Sequence, residues 1–77
     1  MNLNRDAIRA KLGGGPMAVI IEAKRLGYKR GRFNNGIEVI TSADGSDWIH
    51  PPTCSMREFK AFNKAWNALP LLVMRQA

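Results

Sequence analysis

The sequence predicts a small α+β domain in the order α-α-β-β-β-α, with a three-stranded antiparallel meander packed against helices. Three observations predict it. "PMAVIIEAKRL" at 16–26 opens on a helix-starting proline and carries a wide apolar arc. "YKRGRF" and "IEVIT" are strand-like segments separated by "NNG", a short-range hairpin signal. "SMREFKAFNKAWNAL" at 55–69 places apolar residues at helical spacing behind a capping serine.

The elements follow in order. Residues 3–12, "LNRDAIRAKL", read as a short helix with Asn4 as N-cap and Asp6 in the first turn, where the helix dipole favours an acid. Leu3, Ile8 and Leu12 share one side of it. "GGG" at 13–15 breaks the helix. In the second helix, Met17, Val19, Ile20, Ile21, Ala23 and Leu26 form the arc expected to be most buried, and Gly27 is a left-handed stop. The hairpin comes next. Asp44-Gly45 then offers a second turn, and "DWIH" reads as a third strand closed by Pro51 and Pro52.

In the last helix, Ser55 and Glu58 fit a capping box. Met56, Phe59, Phe62, Trp66 and Leu69 fall on one side, with Arg57, Lys60, Lys64 and Asn67 on the other. Pro70 ends it. The apolar tail at 70–77 is expected to pack on the core of this single domain or on a partner, including a homodimer contact. Over 17–69 the order is similar to that of double-stranded-RNA-binding domains. "SMREFK" stands where that family has a Lys-Lys-x-Ala-Lys helix start, and likeness of order carries no function.

Seventy-seven residues make one domain at most, and 45% hydrophobic content suits a folded globule. Chains this short bury only about 60% of the surface their unfolded form exposes, so stability is thin. A single cysteine, Cys54, makes no internal disulfide and no multi-cysteine zinc cluster, which fits a reducing cytoplasm. No apolar segment approaches a membrane span, and "MNLNRDAIRAKL" lacks the apolar block of a signal peptide. The expectation is a cytoplasmic protein with no membrane partner.

The residues give catalysis little to work with. His50 and Cys54 are single in the chain, and Pro51 and Pro52 between them prevent one helical turn from joining them. Ser46, Asp47 and His50 have the letters of a triad, but a short turn-strand segment lacks its spatial arrangement. "DGSD" is turn chemistry with too few ligands for a metal. "GGGP" lacks the Lys-Ser/Thr of a phosphate-binding loop. The chain is therefore expected to be non-enzymatic, with no cofactor and no metal.

What stands out is charge. Twelve Lys and Arg against six Asp and Glu give +6, which favours an anionic partner. Lys24, Arg25, Lys29, Arg30 and Arg32 fall within nine residues, with no acid until Glu38. Lys24 and Arg25 close a helix, where the dipole already favours cations. Lys29, Arg30 and Arg32 have no such structural reason. Strand alternation sets Arg30 and Arg32 on one face and Lys29, Gly31 and Phe33 on the other.

Phosphate binding by these five, flanked by Lys60 and Lys64, predicts a nucleic-acid-binding protein with double-stranded DNA favoured. Trp48 and Tyr28 are candidates for stacking or a partner contact. If Ile49 points inward, Trp48 points outward beside Arg30 and Arg32. The alternative is a protein-binding inhibitor or adaptor that meets an acidic protein surface. A phage- or plasmid-encoded, anti-CRISPR-like inhibitor of a host nucleic-acid machine is one example.

Overall fold

The computed structural model describes residues 3–75, apart from the side chain of Leu3. Helix α1 (Leu3–Arg9) passes into a 3-10 segment (Ala10–Gly14), and α2 (Pro16–Arg25) follows. Strands β1 (Lys29–Phe33), β2 (Glu38–Thr41) and β3 (Trp48–Ile49) form the expected meander. Helix α3 (Met56–Ala68) then leads into a fourth strand, β4 (Leu71–Met74). The fold is α+β, with a sheet ordered β3-β2-β1-β4 in which β4 runs parallel to β1. The tail therefore extends the meander into a mixed four-stranded sheet, and α3 is the crossover between its two edges. Residues 76–77 of the tail lie outside the described residues.

Local chemistry explains the element ends. Pro16 sits in the first turn of α2. In the β1–β2 connection, residues 34–37, the Gly36 N–H donates to the Phe33 carbonyl and the Phe33 N–H to the Ile37 carbonyl. Gly36 takes φ 92°, which closes such loops at low steric cost. At α3, Ser55 is the N-cap as expected, but the capping box does not form: the Ser55 hydroxyl donates to Glu58 Oε1 at 2.9 Å and neither side chain caps a backbone N–H. The first helix departs from expectation: Asn4 lies inside α1, and Leu12 on the 3-10 segment is 55% exposed.

All three helices cover one face of the sheet. Ile8 of α1, Val19, Ile20 and Ala23 of α2, and Trp66 and Leu69 beside α3's end pack with Ile40 and Ile49. The other face carries a smaller cluster of Phe33, Val39 and Met74, with Trp48 and Leu72 against it. Gly31 is what lets β4 close on β1: a Cβ there would stand 3.0 Å from both Met74 and the buried Thr41. Periodicity overestimates one burial. Met56 and Phe59 share α3's apolar spacing, yet Met56 is 92% exposed and Phe59 is exposed, because the packed surface begins at Phe62.

Candidate nucleic-acid interface

Register decides where the charged strand residues go. Arg30 pairs with Ile40 and Ile40 with Ile49, so Arg30 shares the helix-covered face with both. Arg32 lies two residues on, opposite Glu38. There Glu38 gathers three groups. Its Oε1 accepts the Trp66 indole N–H at 2.9 Å, and its Oε2 accepts Arg32 Nε at 2.9 Å with Arg30 Nη1 at 3.8 Å. The Trp66 hydrogen bond and the Arg32 pair together hold the Glu38 carboxyl below its ordinary range, against an opposing push from burial. Arg30 is largely covered and also approaches Asn67 Oδ1 at 3.4 Å. The two arginines the sequence favours thus already share an internal counterion.

Other predicted residues fall out similarly. Arg25 makes a two-pronged contact with Glu22 at 2.6 and 2.9 Å, which lowers the Glu22 carboxyl and raises the guanidinium. Lys24 is exposed on α2 and Lys29 half-buried on β1, and neither has a carboxylate within 4.0 Å among the described residues. Lys60 and Lys64 are exposed one turn apart on α3.

Two expectations about the aromatics are corrected. Tyr28 is 4% exposed and donates its hydroxyl to Asp47 Oδ2 at 2.7 Å, so it has no ring face for stacking. Asp47 also pairs with Arg5 at 3.2 Å, tying α1 to the strands. Trp48 is half-buried and sits opposite Thr41, on the sheet face away from Arg30 and Arg32 rather than beside them. Its ring meets Phe33 and His50 edge-on at 5.3 and 5.4 Å.

The residues that pairing leaves uncommitted overlap the predicted set only in part. Arg5, Arg25, Arg30 and Arg32 carry the ion pairs, leaving eight of the twelve basic residues without one among the described residues. Six of these are exposed on the helical layer: Arg9, Lys11, Lys24, Arg57, Lys60 and Lys64. Lys24, Lys60 and Lys64 are among the candidates the sequence singles out; Arg9, Lys11 and Arg57 are not, because they lie outside its basic cluster. Among the described residues, no cluster of three or more His, Cys, Asp or Glu side chains could hold a metal ion. No described helix is long and apolar enough to cross a membrane. No known protein family, curated protein or solved structure matches the chain.

Proposed function

We propose that the chain is a small non-enzymatic protein that binds nucleic acid, duplex DNA first, by holding phosphates on the outer surface of its helical layer. One observation carries this reading. After internal pairing, six basic side chains are exposed on the helices and the 3-10 segment, Arg9, Lys11, Lys24, Arg57, Lys60 and Lys64, against the exposed Asp6 and half-buried Glu58. Surfaces evolved only for solubility mix both signs more evenly than this.

The test is a double variant, Lys60→Glu with Lys64→Glu, at exposed positions that hold nothing in place. Anisotropy of a short labelled duplex across a salt series gives the slope of affinity against salt. Two lost phosphate contacts should reduce that slope by about 2 and weaken binding at every salt concentration. An unchanged slope would remove α3 from the interface. Absence of duplex binding by the natural chain at low salt would overturn the reading.

One observation favours a second reading, the protein-binding inhibitor or adaptor. Ile21, Met56 and Phe59 are large apolar side chains exposed on the same helices. A stoichiometric protein partner retained from a nuclease-treated lysate, and lost in Phe59→Ala, would support it.

A further inference from the structure

The sheet face away from the helices is open, and its shape is specific. The loop at 42–47 rises beside it and, with β4, bounds a groove of about 410 Å³. Its lining includes Phe33, Trp48, Leu72, Met74, Asp44 and Arg75. That volume lies within the roughly 300–1,000 Å³ of small-ligand sites. Phe33, Trp48, Leu72 and Met74 give it an aromatic and aliphatic floor, while more of its accessible lining is polar than apolar. Asp44 and Arg75 are exposed as well as lining, which places them at the mouth.

The two mouth residues offer opposite chemistry. Asp44 Oδ1 accepts from the Ser42 hydroxyl at 2.8 Å and from the Ser46 N–H and hydroxyl at 3.0 and 2.7 Å. The Asp44 backbone N–H adds a further hydrogen bond to the same carboxylate, and the exposed side chain stays open to solvent. These bonds keep the carboxyl ionised, with its pKa brought down to about 2. Arg75 has no carboxylate within 4.0 Å among the described residues. Trp48 is braced edge-on between Phe33 and His50, so its indole is held before any ligand arrives. Lys29 lies on this same face by strand alternation, two strands from Trp48.

A purely apolar ligand would leave both charges idle, and a simple anion would meet the Asp44 carboxylate. A planar ring that carries an N–H donor and has a phosphate attached uses all three features. We propose that this groove takes an unpaired base of a single-stranded nucleic acid, its ring against Trp48, an N–H to Asp44 and the adjoining phosphate on Arg75. The proposal rests on the nucleic-acid reading above but uses the opposite side of the fold. A duplex keeps its base faces stacked and cannot supply such a ring, whereas every unpaired base has one.

The full chain, labelled with ¹⁵N, is titrated at low salt with a single-stranded DNA oligonucleotide and, separately, with a duplex. The two indole N–H signals serve as reporter and control, since that of Trp66 is buried against Glu38. The expected result is that the single strand moves the Trp48 indole and the amides of 72–75, while the duplex moves those around Lys60 and Lys64. Arg75→Glu, at an exposed position, should weaken single-strand binding roughly tenfold and duplex binding far less. Trp48→Ala should do the same by loss of stacking. If Trp48→Ala does not fold, the Arg75→Glu result decides. Single-strand binding that leaves Trp48 unmoved, or that Arg75→Glu does not weaken, overturns the groove assignment. So does duplex binding without single-strand binding, and the proposed function then stands; a duplex that moves Trp48 equally overturns the groove assignment and also the placement of the duplex on the helical layer. Absence of binding to either removes that function and the groove together.

Discussion

Glu38→Gln separates structural charge from functional charge. The substitution keeps the shape of the side chain but leaves one carbonyl oxygen where two carboxylate oxygens served Trp66 Nε1 and Arg32 Nε, both at 2.9 Å. One of these donors then faces an amide NH₂. Arg32 is 47% exposed in its side chain, so water can replace its partner. Arg30 is the costlier loss, because its side chain is only 16% exposed and its Nε already lacks a partner among the described residues.

A hydrogen bond to a charged group contributes about 1.5–3 kcal/mol, and an exposed pair adds about 0–1 kcal/mol. A loss near ~2 kcal/mol follows, or roughly 8–16 °C in melting temperature for a domain of this size. The Glu38 carboxyl titrates below its ordinary 4.5 in the fold. Its contribution is therefore complete above that pH and disappears as pH falls through the lowered folded value. Circular-dichroism melts of both proteins from neutral to acid pH should show a gap that is full at neutrality and closes in acid. A gap under about 0.5 kcal/mol at neutral pH, or one that persists unchanged into strong acid, would refute the hub.

Two further outcomes probe the packing. Tyr28 is the one tyrosine in the chain, so phenolate absorbance reports it alone. Burial first, and then the Asp47 hydrogen bond, push its pKa from 10.0 to about 12. Stability from Tyr28 is complete below its unfolded value and is lost as pH rises towards 12, so a midpoint near 10 in the folded protein would contradict the buried placement. Gly31→Ala should cost about 1–3 kcal/mol in urea unfolding, since the new methyl meets Thr41 and Met74 at 3.0 Å; an unchanged midpoint would mean β4 is not docked as described.

Local signals were the legible ones. Pro16, the Asn35-Gly36 turn and the Ser55/Glu58 pair each act within a few residues, and each marks an element end where the sequence puts it. The sequence shows β4 only as an apolar tail that packs on the core or a partner. Its partner β1 is about forty residues away, and the pairing is parallel, so nothing local announces it. Met56 and Phe59 show the limit of periodicity, which says that side chains share a side but not that anything covers it. Trp48 shows the limit of alternation. The pattern separates two faces correctly, but only register tells which of them also carries Arg30.

The same limit governs the charged cluster at 24–32. Counting along the chain, Glu38 marks where the basic stretch stops. In the fold it sits opposite Arg32 and diagonal to Arg30, because an antiparallel hairpin brings back residues lying just beyond the turn. A dense basic segment on the first strand of a hairpin is thus placed where an acid on the second can neutralise it. Arg25 is compensated the same way by Glu22 one helical turn earlier. Of the five clustered cations, Lys24 and Lys29 alone remain unpaired among the described residues, and they face different surfaces. Charge reversal at Arg30 and Arg32 would set three carboxylates against one another beside Trp66. A lost binding signal there would report a damaged fold, so the interface must be tested at Lys60 and Lys64, where no internal partner is at stake.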